Sequence, residues 1–260
     1  DQINQIKHPA IREALNIYMS NKFIELHHIG ELPANSGMGS SSTFAVGLIN
    51  ALNGLNGRIL GKELLSNLAI EFEQRVLNEN VGSQDQIACV FGGLNVISFG
   101  QNWKVIPVDI PKTRILELNE FIIPIYSKVK RSSSDISSCL TTNMLDSKEL
   151  VFKNIELVDQ CKSILESNKS LESIGELLNE NWRIKKLLNP LSVNDKLEEM
   201  YQVGMKNGAL GAKVLGAGGG GFMLFWVPPK FRDSFLSKMQ HGIFIPMSIS
   251  FESAKLIQTV

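Results

Sequence analysis

Residues 33–43 read Pro-Ala-Asn-Ser-Gly-Met-Gly-Ser-Ser-Ser-Thr and join an apolar, strand-like run to an apolar, helix-like run. Gly37 and Gly39 lack Cβ atoms, so the backbone there can turn sharply and present successive N–H groups to a ligand's oxygens. Ser40, Ser41 and Ser42 stand where a helix begins, and Phe44, Val46, Gly47, Leu48, Ala51 and Leu52 continue it with helical spacing. Unpaired amides and the positive end of the helix dipole favour an anion at such a start, and hydroxyls can add hydrogen bonds or a Mg²⁺ ligand. The chemistry this predicts is phosphate binding by Gly37, Met38, Gly39, Ser40, Ser41 and Ser42, with ATP as the ligand. A serine-capped helix after a glycine turn, with no ligand, has the same composition. The segment is not a Walker loop, because no Gly-Lys-Ser/Thr follows the glycines. Nor is it a dinucleotide fingerprint, because a third glycine is missing.

Glu73 lies at helical spacing from Ala69 and Val76, on the border of the apolar face. An acid there is costly unless paired. A Mg²⁺ ion between Glu73 and a loop serine would supply the partner. An ion pair with Arg75 or Lys62 would also do so, and position alone favours it. Asp85, in Val-Gly-Ser-Gln-Asp-Gln, falls in the first turn of a predicted helix. It either complements the helix dipole or accepts a proton from a substrate hydroxyl that attacks a phosphoryl group. The run Gly216 to Gly221, containing Gly218, Gly219 and Gly220, is flanked too closely by apolar residues for a flexible linker. It predicts a tight turn between buried elements that another backbone or a ligand can approach. Arg131, beside Ser132, Ser133 and Ser134, could grip a phosphate or sugar hydroxyls, although composition favours a solvated loop. The four histidines show no metal-ligand spacing beyond the adjacent pair His27 and His28, which diverge on a strand.

These residues need elements to hold them. The periodicity predicts a helix over 8–19, a strand over 23–29, the loop helix, and a helix over 62–77 with Leu65, Leu68, Ala69, Phe72 and Val76 on one face. A short helix over 85–91 and a hairpin of strands over 94–99 and 104–107 follow, then a strand over 121–126. The second half predicts helices near 148–167, 174–188, 193–207 and 231–241, with closing strands over 222–227 and 243–251.

Composition limits the function classes. The 260 residues, 43% hydrophobic and 20% charged, suit a globular protein of one large or two smaller domains. Lys plus Arg and Asp plus Glu each number 26, so no overall field attracts nucleic acid or an acidic membrane. Cys89, Cys139 and Cys161 are odd in number and widely spaced, which predicts reduced thiols in a cytoplasmic protein and argues against zinc. The apolar stretches are too short to span a bilayer. Asp1 to Lys7 show no initiator Met and run straight into a helix, as in a chain that starts within a longer protein.

Pro33 to Ser42, Glu73 through Asp85, and Gly216 to Gly221, in that order, resemble the small-molecule kinases named for galactokinase, homoserine kinase, mevalonate kinase and phosphomevalonate kinase, the GHMP family. Ile6 to Ala14, Gly82 to Gln86, Phe91 to Asn95 and Val214 to Phe222 bring the chain nearest to bacterial D-glycero-D-manno-heptose 7-phosphate kinases within it. The resemblance implies an α+β fold of two domains. Residues 1–115 would be the remainder of an amino-terminal domain like ribosomal protein S5 domain 2, and residues 116–260 a ferredoxin-like carboxy-terminal domain. It also implies that Gly37 to Ser42 cradle the ATP phosphates, that Ser41 and Glu73 hold Mg²⁺, and that Asp85 is catalytic. Gly218, Gly219 and Gly220 would support the loop and the substrate cleft. The implied reaction moves the γ-phosphate of ATP to the anomeric hydroxyl of heptose 7-phosphate. A fucose or galactose kinase, or a non-catalytic nucleotide-binding relative, are the alternatives. Family members open with strands and a Gly-Gly-Gly-Thr-Asp-like segment, about 70 residues in all, that this sequence lacks. That departure predicts impaired activity unless a separate amino-terminal fragment supplies them. Oligomeric state is not legible, and a homodimer is compatible.

Overall fold

The computed structural model describes residues 3–19, 23–32, 36–129, 147–240 and 242–257. Packing divides the chain into two compact units, one of Asp1–Ala34, Gly39–Gly93 and Ser250–Val260, the other of Asn35–Met38 and Leu94–Ile249.

The first unit is built from helices. α1 (Pro9–Tyr18) opens with proline, whose missing N–H would have no helical acceptor there. α2 (Ser40–Leu55) packs against it, and α3 (Lys62–Glu71) and α4 (Gln84–Phe91) pack against α2 and each other. Ala14, Val46, Ile49, Leu52, Ala69, Phe72 and Val90 form the shared core. The predicted single helix over 62–77 is α3 followed without a break by a π-helical turn, Phe72–Val76. Among the described residues this unit contains no β-strand, which corrects the strand expected over 23–29. Ile24 and Leu26 do pack on the helical core, but no hydrogen-bonded neighbour lies beside them. Residues 250–257 return to this unit, with Gly93 N donating to Ser250 O at 2.9 Å and Ala254 N to Cys89 O at 3.3 Å.

The second unit carries the strands. β1 (Asn95–Ser98) and β2 (Lys104–Pro107) form the expected antiparallel hairpin. An unforeseen helix, α5 (Lys112–Phe121), leads into β3 (Ile122–Tyr126). α6 (Lys148–Leu165), α7 (Ile174–Leu188) and α8 (Asp195–Lys206) follow close to their expected bounds. Asn194 caps α8, its side chain accepting from Leu197 N at 3.1 Å. β4 (Gly211–Val214), β5 (Phe222–Trp226), α9 (Arg232–Lys238) and β6 (Ile243–Phe244) close the unit. The sheet is antiparallel throughout, in the order β4-β5-β3-β6, with Ile123 opposite Phe225 and Lys213 opposite Leu224.

Period-two alternation sends Ile123, Ile125, Met223 and Phe225 into a core with Trp182, Leu197 and Phe235. Ile122 and Trp226 face a separate cluster with Phe121, Leu165, Leu171 and Ile174. Leu94, Val96 and Val108 also join that second cluster, so the hairpin packs within the second unit. The strand expected over 243–251 pairs only at Ile243–Phe244. Among the described residues no helix is long and apolar enough to cross a membrane.

Candidate active site

α2 begins at Gly39, whose φ of +69° is the left-handed conformation that glycine adopts without a steric penalty. Gly37, at φ +81°, makes the preceding bend. The first amides of α2, those of Ser40, Ser41 and Ser42, have no acceptor within the helix and sit at its positive end. A Cβ at residue 39 would lie 3.2 Å from both the carboxyl carbon and Oδ2 of Asp85. Asp85 therefore rests against the start of α2, in a space that a larger residue 39 would occupy. It is exposed and lies in the first turn of α4, as the sequence predicts.

Glu73 is 0% exposed, in the π-helical turn. Its carboxylate is held from two sides: Ser41 Oγ donates to Oε1 at 2.9 Å and Gln86 Nε2 donates to Oε2 at 2.6 Å. The surface ion pair with Arg75 or Lys62 is not formed. Arg75 pairs with Glu71 at 3.3 Å, and Lys62 Nζ donates to Phe91 O. The extra residue per π-turn changes which face each side chain takes, and Glu73 is aimed inward with Phe72.

Ser41 Oγ and Glu73 Oε1 fit a Mg²⁺ ion. Octahedral ligands at about 2.0–2.1 Å leave neighbouring oxygens about 2.9 Å apart, which is the separation observed here. Two protein oxygens with the remainder from phosphate and water is the donor set this ion prefers. The glycine-lined start of α2, with its unpaired amides, fits phosphate oxygens.

The glycine run belongs to the second unit, as does Ser36, which is fully buried. Gly219 N donates to Ser192 O at 2.7 Å, Asn194 Nδ2 donates to Gly219 O at 3.0 Å, and Gly221 N donates to Val129 O at 3.2 Å. Gly221 O accepts from Ser127 N at 2.9 Å and from Ser127 Oγ at 2.7 Å. Phe222 N then donates to Ser36 O at 3.0 Å, immediately before Gly37. A Cβ on Gly218 would sit 2.6 Å from Ser192 Cβ, on Gly220 2.5 Å from Val129 O, and on Gly221 2.1 Å from Ser36 O. The run is thus a tight turn between β4 and β5 braced on Ser192, Val129 and the backbone of Ser36.

The structure brings Ser41 together with Glu73, and Gly39 together with Asp85, all within the first unit. Arg131 lies outside the described residues, as do Pro33, Ala34, Asn35 and Cys139. Cys89 and Cys161 are free thiols, and burial pushes both above the usual thiol range, so neither reads as a nucleophile. Sequence reasoning missed Gln86, whose signal was a polar residue on the buried face of α4 with Ile87 and Val90. It also missed Ser36, which acts through its backbone carbonyl, and Ser127, whose N–H and hydroxyl both donate to Gly221 O.

The family described as GHMP kinases N terminal domain matches residues 5–93, and GHMP kinases C terminal matches residues 156–241. D-glycero-alpha-D-manno-heptose 7-phosphate kinase of Campylobacter jejuni is 34% identical over 219 residues, covering 83% of this chain. The chain spans 64% of that relative's length. A D-glycero-D-manno-heptose 1-phosphate kinase from Bacteriodes thetaiotaomicron shares the fold at a TM-score of 0.62 and 22% identity, over 94% of this chain and 71% of that one. Lactococcus lactis galactokinase, complexed with galactose, does so at a TM-score of 0.70 and 15% identity, over 96% and 77%. Both domain families match in their order along the sequence, and the α+β fold agrees with them: the chain belongs to the GHMP kinase family.

Proposed function

We propose that this chain acts as an ATP-dependent sugar kinase that phosphorylates the anomeric hydroxyl of D-glycero-D-manno-heptose 7-phosphate. The observation that carries the reading is the clustering of Asp85, Gly39, Ser41 and Glu73 around the start of α2. The 34% identity to a heptose 7-phosphate kinase supports the sugar. Reduced thiols and a metabolite substrate suit the cytoplasm.

In this reading the amides of Gly39 to Ser42 bind the ATP phosphates, and the dipole of α2 offsets their charge. Mg²⁺ bound by Ser41 Oγ and Glu73 Oε1 would neutralise charge that develops on the transferring group. Gln86 fixes Glu73 by its amide, so that one carboxylate oxygen stays turned toward Ser41. Asp85 accepts the proton of the anomeric hydroxyl as its oxygen bonds to the γ-phosphorus. The bond from that phosphorus to the β,γ-bridging oxygen breaks, and ADP leaves. Gly218, Gly219 and Gly220 shape the backbone that supports the loop segment, and Arg131 is assigned to sugar-phosphate contact.

ADP release is to be measured with heptose 7-phosphate, fucose and galactose as acceptors. Heptose-dependent turnover is expected, with a loss of about 10²–10⁴-fold in Asp85→Ala while Mg-ATP binding persists. Nucleotide binding with no turnover on any acceptor would instead make the chain a non-catalytic relative, and preference for fucose or galactose would reassign the sugar.

A further inference from the structure

Lys128 carries a backbone conformation that its type does not favour. Its φ is +59°, in the left-handed region that glycine enters freely and that a Cβ penalises. Asn78 is the other non-glycine residue at positive φ among the described residues, and asparagine tolerates the region through local hydrogen bonds. Lysine has no such means. One glycine imposes the conformation from both sides: Ser127 N and Oγ donate to Gly221 O at 2.9 and 2.7 Å, whereas Gly221 N donates to Val129 O at 3.2 Å. A regular antiparallel pair exchanges both bonds between the same two residues. Here the second bond skips to Val129, so Lys128 bulges out of the ladder just past the end of β3. Bulges re-aim a side chain and are frequent beside functional sites. A residue held off its preferred conformation by its neighbours' hydrogen bonds is strain that the fold maintains.

The glycine that fixes Lys128 also meets the start of the phosphate loop. A Cβ on Gly221 would lie 2.1 Å from Ser36 O and 3.3 Å from Gly37 N, and Phe222 N donates to Ser36 O. Lys128, Gly221, Ser36 and Gly37 all belong to the second unit. Lys128 is exposed, and its ammonium enters no ion pair among the described residues. The loop lacks the lysine that a Walker loop places after its glycines, and zero net charge offers an anion no general attraction. We infer that Lys128 is a phosphate-binding residue, its ammonium a point charge on a flexible stem that meets a phosphate group beside Ser36 and Gly37. The inference rests on the phosphate-transfer reading above, in which that phosphate belongs either to the nucleotide or to the sugar phosphate.

Calorimetric titration of the purified protein with Mg-ATP, adenosine, heptose 7-phosphate and unphosphorylated heptose separates the two sources. Lys128→Gly removes the charge and suits the positive φ, so its melting temperature is expected at or above that of wild type. Its affinity for a phosphate-bearing probe is expected to fall about 10–100-fold, the worth of one charge-assisted hydrogen bond, with adenosine and heptose unaffected. Lys128→Arg keeps the charge and is expected to keep most of that affinity. A loss confined to Mg-ATP assigns the nucleotide, and one confined to heptose 7-phosphate assigns the sugar phosphate. Unchanged affinity of Lys128→Gly for both, a loss shared by adenosine or heptose, or a loss that Lys128→Arg does not restore overturns the proposal. So does a wild type that binds neither phosphate-bearing probe. Because binding is read directly, an absence of turnover would end the kinase reading and leave this result standing.

Discussion

Glu73 is a fully buried carboxylate whose two oxygens are each satisfied by one neighbour, Ser41 and Gln86. Gln86→Leu keeps the volume and removes the donor, leaving one carboxylate oxygen buried without its partner. Urea unfolding of this variant should show a loss of about 1–3 kcal/mol. An unchanged midpoint would mean that the amide does not hold Glu73. A second residue prediction concerns pH. Hydrogen bonds from Arg183, and then Lys153, hold the Glu180 carboxyl down to about 2 from its ordinary 4.5. Because the folded-state value is the lower one, this contribution is present above about 4.5 and is lost as pH falls toward about 2. Glu180→Gln should therefore be less stable than wild type at neutral pH by a small margin, since the pair is partly solvated. The margin should close on acidification, as acid-dependent thermal melts would report. At this scale the sequence was legible for where the loop glycines, Ser41 and Asp85 sit: a positive-φ turn, the first turn of α2 and the first turn of α4. For Glu73 position alone favoured a surface ion pair, because a regular helix was assumed where a π-turn rotates the side chain inward.

Long periodic elements were legible because their apolar faces repeat: α6, α7 and α8 lie within a few residues of the expected bounds. The stretch over 23–29 has a strand's alternation, yet alternation encodes only which face is buried, and a strand also needs a partner that no local pattern reveals. α5 went unforeseen because only Leu118 and Phe121 are buried in it, too few to set a period. The glycine run was legible as a tight turn from its apolar flanks, and its contacts show why side chains are excluded. Gly221→Ala would drive a Cβ to 2.1 Å from Ser36 O, a backbone atom that cannot rotate away, and Gly221 also has φ +78°. The cost should exceed the roughly 1–3 kcal/mol typical of overpacked side chains. Thermal melting of the purified variant checks this, and a melting point equal to wild type would show that the turn is loosely packed.

On the scale of the molecule, both compact units have cores of their own, and the two family domains fall in sequence order. Net charge is zero, so any anionic ligand must be drawn by a local field rather than by the protein as a whole. The membership in the GHMP kinase family was legible from three short segments because the glycines in two of them take conformations that few other residues can adopt. Sugar identity was less legible, since hydroxyl-recognising contacts can be made by many residue types. The most direct test of the account is phosphorus NMR of the product formed from Mg-ATP and heptose 7-phosphate. A second phosphate resonance split by the anomeric proton, growing as ADP appears and absent with Asp85→Ala, is the predicted result. A new phosphate on any other position, or an equal yield from Asp85→Ala, would contradict it.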